Sequence, residues 1–454
     1  MADSPRLTNQ AGGDASWFAD AKLGIMVSWG LYSIPGWAPL DPRLTESLGA
    51  GVTSDGGPFS HMSPLSTSSY AEWYLNSMSL VGTPTWLYHQ ATFAGSEYDA
   101  FRPAFDAAVD TCTPADWVAL SQAAGAKYIV PLTKHHDGFL LYPTRVKSPF
   151  RPGYHVSRDL IGEVADAARI AGIRFGAYYS GGIDWTAAGL PVPAAEYIND
   201  DQDEQRQRFW PEEYARYADK QYREIIDRYQ PSILWNDIGY PSASNPSDLF
   251  DYYYSRVPDG VINDRFSGQP SDFTTPEYHR LSTISAHVWE MNRGVGLSFG
   301  FNRQEGETET LTSNQLIKLL LDVVSRNGNL MLGIGPDAAG RISPLQEASL
   351  RGLGDWLHVN GEAIYSARPW HRAQDSIGEG SVHWTRTDTT LYAVIDSLAG
   401  EIELPDDANK FAMGQIHALD ASADVQISVA EDRVRVRLPE GPRRPITLAL
   451  PFRF

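Results

Sequence analysis

Three short stretches place groups able to move a proton or attack carbon just where an apolar run gives out. In KHHDGF, Lys134, His135, His136 and Asp137 follow such a run. Neighbours on a regular strand face opposite ways, so His135 and His136 make a poor metal pair. The spacings HxH, HExxH and HxxxH are also absent. At a strand end, where the pleat breaks, both imidazoles can hydrogen-bond one polyhydroxyl ligand; two incidental histidines are the competing reading. In LWND, Asp237 closes a buried run beside Trp235 and Asn236. A carboxylate there is costly unless it is solvated, hydrogen-bonded or put to use. An N-cap opening the next helix is the rival reading. In NDRF, Arg265 can hold a carboxylate and keep it ionised. In DFTTPEY, Glu277 lies in an irregular, proline-containing segment, and read alone it is a solvated surface glutamate. Glycoside hydrolysis needs two carboxyls flanking one bond, which Asp237 and Glu277 can supply. Glu72 in AEWY and Glu290 in VWEM, each beside a tryptophan, are rival carboxyls.

The elements that must position these groups follow from hydropathy. Short apolar runs ending in polar residues recur from about residue 20 to 336: LGIMVSWG (23–30), KYIVPLTKHHDGF (127–139), IRFGAYYSGGIDW (173–185), SILWND (232–237), GVINDR (260–265) and NLMLGIGP (329–336). Amphipathic helices are expected over 159–172, ending in Gly172, over 212–231, stopped by Pro231, and over 314–328, with Arg326 in the last turn and Gly328 after it. Buried strands alternating with such helices indicate an α/β fold with a parallel sheet. The alternation suits a (β/α)8-like barrel, in which chemistry collects at the C-terminal strand ends. An open doubly wound sheet is the alternative, although no GxGxxG turn opens an early unit. After about residue 362 the register changes to period-two stretches such as SVHWTRT, TLYAVID and RVRVRLP, the pattern of an antiparallel β-sandwich. The division expected is a catalytic barrel over 1–362 and a C-terminal β-sandwich over 363–454. The Gly- and Ser-rich stretch 48–69 reads as a long loop near the barrel mouth.

Composition sets limits. The chain has 454 residues, beyond the ~250–300 at which one core stops growing, so two domains are expected. A formal charge of −19 repels phosphate backbones and anionic lipid, which argues against nucleic-acid or membrane-surface binding and suits a neutral substrate. Thirteen Trp and 22 Tyr offer flat apolar faces with polar edges, the complement of sugar rings, although core packing accounts for most aromatics. The single cysteine, Cys112, excludes an intrachain disulfide or a thiolate cage. No signal-like h-region opens the sequence and no run of about 18 apolar residues occurs, so a cytoplasmic location is expected. A homo-oligomer remains open.

The segments WFADAKLGIMVSWGLYSIPGW, AEWYLNS, AGAKYIVPLTKHHDGF, FGAYYSGGIDW, LWNDIGYP, NDRF, DFTTPEY, WEMNRGVGLSFGFN and VVSRNGNLMLGIGP, in this order, resemble the α-L-fucosidases of glycoside hydrolase family 29. The resemblance runs from about residue 16 to 370. It implies a barrel followed by a sandwich and hydrolysis of terminal α-L-fucosyl residues with retention, without metal or organic cofactor. The implied substrate is a fucosylated oligosaccharide or glycoconjugate. On the matching motifs Asp237 corresponds to the nucleophile and Glu277 to the acid/base. Glu72, Trp73, His135, His136, Tyr178, Trp235, Arg265 and Phe299 correspond to sugar-contacting positions, with Phe299 and Trp73 against the C5-methyl. In the double displacement this implies, Asp237 attacks the anomeric carbon while Glu277 protonates the leaving oxygen, and water then releases the sugar.

One segment departs from the pattern. The family carries His-Trp-Gly after the first strand, and that His contacts fucose hydroxyls; here the sequence reads Val27-Ser28-Trp29-Gly30. Ser28 is shorter and carries no charge. Loss of one hydrogen bond to a polar ligand costs about 0.5–1.5 kcal/mol. The substitution leaves two alternatives beside an α-L-fucosidase: the same chemistry on a fucose-related glycone, and a non-catalytic sugar-binding protein.

Overall fold

Seven parallel strands with almost every residue buried line up in the order β5-β4-β3-β2-β1-β7-β6. They are β1 (Leu23–Val27), β2 (Tyr128–Lys134), β3 (Arg174–Ser180), β4 (Ile233–Asp237), β5 (Val261–Ile262), β6 (Trp289–Gly294) and β7 (Gly328–Ile334). The computed structural model describes residues 7–40, 68–188, 212–241, 244–266, 268–378, 380–396, 400–407, 410–430, 433–439 and 444–453. The loop expected over 48–69 therefore lies almost wholly outside the described residues.

The sheet curls so that its two edges, β5 and β6, approach one another across the segment 272–278. Asp272 N donates to Ile262 O (2.9 Å) on one side, and Glu290 N donates to Thr274 O (2.8 Å) on the other. Parallel bridges join Asn263 to Phe273, Thr274 to Trp289 and Glu277 to Asn292. The segment read as irregular and proline-containing is thus the stave that closes the barrel. Pro276 has no N–H to donate to a ladder, and the pairing is limited to isolated bridges.

Two apolar layers follow from the strand period of two. Tyr128, Val130, Leu132, Tyr178, Ile233, Trp235, Phe273, Phe299 and Met331 belong to the barrel interior. Ile129, Ala177, Tyr179, Leu234, Trp289, Met291, Leu330 and Leu332 face the surrounding helices. The floor is crowded, because a Cβ on Gly24 would lie 2.0 Å from the Tyr128 ring, so only glycine lets that ring cross the barrel.

The helices follow their sequence signals. Leu160–Ala171 is capped by Asp159, whose side chain accepts from Gly162 N, and ends on Gly172 at φ 70. Glu212–Tyr229 ends before Pro231. Ser313–Val324 opens with a capping box of Thr312 and Gln315 but stops earlier than expected. The left-handed residue after it is Asn327 (φ 72), and Gly328 already begins β7. Arg326 lies beyond the last turn and is held by Asp322 at 2.6 Å.

C-terminal to the barrel come β8 (Arg368–Ile377), β9 (Gly380–Arg386), β10 (Thr390–Asp396), β11 (Glu401–Asp407), β12 (His417–Ala418), β13 (Gln426–Ala430), β14 (Arg433–Arg437) and β15 (Ile446–Pro451). They form a five-stranded sheet, β12-β15-β10-β9-β8, and a three-stranded sheet, β11-β14-β13, both antiparallel. Val382, Trp384, Ala393, Val434, Val436 and Leu448 fill the space between them. This is the expected sandwich, and it is tied to the barrel by Lys318–Asp396 (2.9 Å) and Trp356 Nε1 to Pro445 O (2.8 Å).

Candidate active site

Asp237 is the last residue of β4, and Arg265 follows β5 at the same rim. Asn236 ties the two together, since its Nδ2 donates to the carbonyls of Gly239 (2.7 Å) and Arg265 (2.6 Å). The helix after β4 begins at Pro246 under the cap of Asn245, so Asp237 is not an N-cap. It accepts hydrogen bonds from Arg265 Nη1 (2.7 Å), Tyr178 OH (2.6 Å) and its neighbour Ile238 N (3.0 Å).

The same guanidinium reaches Glu277 from its other nitrogen, Nη2 to Oε2 at 3.1 Å. Tyr70 OH donates to Glu277 Oε1 at 2.9 Å. Arg265 is itself fixed by Thr275 through Nε (3.0 Å to Oγ1) and Nη2 (3.1 Å to the carbonyl), and it lies 4.7 Å over the Trp235 ring. Burial opposes the arginine's charge, but Asp237 and Glu277 outweigh it and its pKa rises above the usual value. Burial raises Glu277, as does the charge of Asp237, while Arg265 and Tyr70 act the other way; the balance is upward.

Both carboxyls are followed by a non-glycine residue in the left-handed region, Ile238 at φ 60 and Tyr278 at φ 53. Such a conformation costs on the order of 1–3 kcal/mol and is most unfavourable for a branched side chain. The turn it makes lets Asp237 accept from the very next N–H, while Tyr278 OH is anchored to Leu297 O at 2.9 Å.

The histidine pair sits against this centre. A register shift between Leu132 and Lys134 puts an irregularity at Thr133, whose hydroxyl donates to Tyr178 O at 2.6 Å. The pleat breaks there, and the His135 and His136 rings come to lie 3.8 Å apart. Ser180 Oγ donates to Ile183 O (2.7 Å), so it accepts from His136 Nδ1 (2.6 Å). Burial first, and then neighbouring positive charge, pushes both imidazoles well below their ordinary pKa. Neutral His136 therefore keeps its lone pair on Nε2, which lies 3.9 Å from Asp237 Oδ2. Asp137 serves the turn instead, accepting from Phe139 N (3.1 Å) and Tyr98 OH (2.9 Å).

On another wall, Glu72 Oε2 accepts from Ser298 Oγ and Gly300 N, both at 2.9 Å, which fixes the backbone on either side of Phe299. Burial raises the Glu72 carboxyl to about 7. Phe299 meets Tyr70 edge-on (5.8 Å), and Trp73 packs on His136 (5.0 Å) and Trp185 (5.4 Å). Glu290, the other rival carboxyl, does not reach the pair. It sits one layer lower in the barrel, wholly buried, accepting from Trp235 Nε1 (3.0 Å) and Tyr128 OH (2.5 Å).

This arrangement is two carboxyls bridged by one guanidinium, at the C-terminal ends of barrel strands, walled by imidazole and aromatic rings. A model of the Alpha-L-fucosidase family matches residues 7–362. The chain belongs to the α-L-fucosidase family. Its sequence is 34% identical to the α-fucosidase of Thermotoga maritima, whose crystal structure superposes with a TM-score of 0.79 over 96% of each chain. The complex of the Thermotoga maritima protein with fucose gives the same TM-score, 0.79, at 33% identity and 96% coverage of both chains. Tissue alpha-L-fucosidase of Macaca fascicularis is 28% identical over 396 residues, covering 84% of this chain and 74% of that protein.

Ser28, the family's histidine position, lies just beyond β1, is 1% exposed, and its Oγ has no hydrogen-bond partner among the described residues. His135 Nδ1 likewise has none among them. Tyr70, Ser180, Trp185, Thr275 and Asn292 surround the expected residues but were not singled out from the sequence. Tyr70 stands two residues before Glu72 and Thr275 two before Glu277, so the flanks of the motifs carried the only signal.

Proposed function

We propose that this α-L-fucosidase works by retaining double displacement, with Asp237 as nucleophile and Glu277 as acid/base. The observation that carries the reading is the Arg265 bridge, 2.7 Å to Asp237 and 3.1 Å to Glu277. A single guanidinium spanning both carboxyls suits the close pair of a retaining enzyme, about 5–5.5 Å apart, rather than the ~6.5–9.5 Å that admits a water between them. Their settings differ in the required sense. Asp237 has three donors aimed at its oxygens, as an attacking carboxylate needs to stay oriented. Glu277 has its pKa raised by burial, which favours the proton it gives to the leaving oxygen. After departure of the aglycone the same group takes a proton from water and the sugar leaves Asp237.

The glycone contacts follow from the donor and acceptor pattern. His136 Nε2 accepts from a sugar hydroxyl, and the Trp73 and Phe299 faces take the apolar C5-methyl. The comparisons lend no support to a different glycone, and an intact carboxyl pair speaks against a non-catalytic binder. The substrate class proposed is a fucosylated oligosaccharide or glycoconjugate, and a cytoplasmic location is proposed on the lone cysteine. The test is NMR of the first anomer released from an aryl α-L-fucoside, together with turnover by Asp237→Gly. The expected result is α-L-fucose first, and loss of turnover that azide restores as a β-fucosyl azide. β-L-Fucose first, or a fully active variant, refutes the mechanism.

A further inference from the structure

β6 turns two polar side chains into the barrel, Glu290 and, two residues on, Asn292. Both bear on Arg265. Asn292 Oδ1 lies 3.4 Å from Nη2 directly, whereas Glu290 Oε1 accepts the N–H of Trp235, whose ring carries the guanidinium 4.7 Å above it. Glu290 is 0% exposed, so its carboxyl is not a spare catalytic acid. Burying it is costly, and an amide or a hydrocarbon would fill the same space.

We propose that Glu290 is a positioning residue that sets how much of Arg265's charge reaches Asp237 and Glu277, acting through the Trp235 indole. The inference rests on the assignment of Glu277 as acid/base. Two donors meet its two oxygens, Tyr128 OH and Trp235 Nε1, the pattern of the ionised form. A carboxylate at the indole N–H adds electron density to the ring, and the ring face then attracts the guanidinium more strongly. The groups bearing on Glu290 are Tyr128 from β2, Trp235 from β4, and Arg265 and Asp264 from the turn after β5. Burial raises it to about 7, against Tyr128, Trp235 and Arg265, so it is charged through the alkaline range.

The experiment is the pH profile of kcat/KM for an aryl α-L-fucoside with wild type, Glu290→Gln, Glu290→Asp and Glu277→Gln. Without the buried charge Arg265 is less compensated, Glu277 holds its proton less tightly, and the alkaline limb falls by on the order of 0.5–1 pH unit in Glu290→Gln. Glu290→Asp keeps the charge, so its limb returns toward wild type even where its Tm is lower. Should Glu290→Gln not fold, Trp235→Phe gives the second reading: Glu290 loses a donor, takes up a proton, and the limb again falls. A Glu290→Gln limb that stays in place while Tm drops overturns the inference and leaves Glu277 as the acid. A limb that survives in Glu277→Gln removes that assignment, and this inference with it.

Discussion

Tyr70→Phe isolates one hydrogen bond to Glu277, the proposed acid. The hydroxyl donates to Glu277 Oε1 at 2.9 Å, while the ring packs on Phe299 (5.8 Å) and Tyr278 (6.3 Å), contacts that phenylalanine retains. A donor favours the ionised carboxyl, so its removal raises the Glu277 pKa further. A hydrogen bond to a charged group is worth about 1.5–3 kcal/mol, and one pKa unit corresponds to about 1.4 kcal/mol. Arg265 still holds the other oxygen at 3.1 Å, so the lower figure applies and a rise of about one unit is expected. The acid form then persists to higher pH, and the alkaline limb of kcat/KM moves up by about one unit, opposite to the shift expected for Glu290→Gln. The assay is initial-rate hydrolysis of an aryl α-L-fucoside with a poor leaving group, for which protonation limits the rate, in buffers of constant ionic strength. A limb that stays or moves down would falsify the assignment of that hydrogen bond to the acid.

Arg265→Met strands two buried carboxyls and removes bonds to both, so kcat/KM falls by at least about 100-fold on the basis of ~3–5 kcal/mol for a broken buried pair; a loss under tenfold refutes the bridge's importance. Tyr178→Phe takes a 2.6 Å bond from Asp237 Oδ2, and single-turnover kinetics are expected to show glycosylation slowed about 10–100-fold with little change in Tm. Glu72 is raised in the folded state to about 7, so it stabilises the fold fully below its unfolded pKa near 4.5 and loses that stabilisation as pH climbs through 7. The stability of Glu72→Gln, measured by denaturation, should therefore gain on wild type by up to about 3 kcal/mol as pH rises across that window, and a constant difference contradicts the assigned shift. Ser28→Ala breaks no side-chain hydrogen bond to a described residue, so stability should hold within about 1 kcal/mol, whereas KM for the fucoside should rise about 2–10-fold if the hydroxyl serves the sugar.

Strands buried on both faces announce themselves as apolar runs, which is why β1, β2, β3, β4 and β7 were legible with their polar ends. β6 was not, because its inward side chains are Glu290 and Asn292 and WEMNRG resembles no strand pattern. The stave 272–278 was hidden by Pro276 and by pairing that never forms a full ladder. The helix over 314–328 was overrun at its end because Asn327, not the glycine, takes the left-handed turn.

What the sequence by itself determined was the inventory: carboxyls, imidazoles, a guanidinium and aromatics at the ends of hydrophobic runs, and a charge that suits a neutral ligand. Side-chain type and local period are properties of short stretches, so they can be read without the fold. Which carboxyls come together was decided only in three dimensions. Locally, Glu72, Glu277 and Glu290 are each a glutamate beside an aromatic residue, and Asp237 has the look of a helix cap. Barrel closure lifts Glu277 to the rim, where Arg265 joins it to Asp237, and drops Glu290 one layer below, under Trp235. The pairing depends on strand register and on a stave shared by β5 and β6, and both are set by contacts between distant segments.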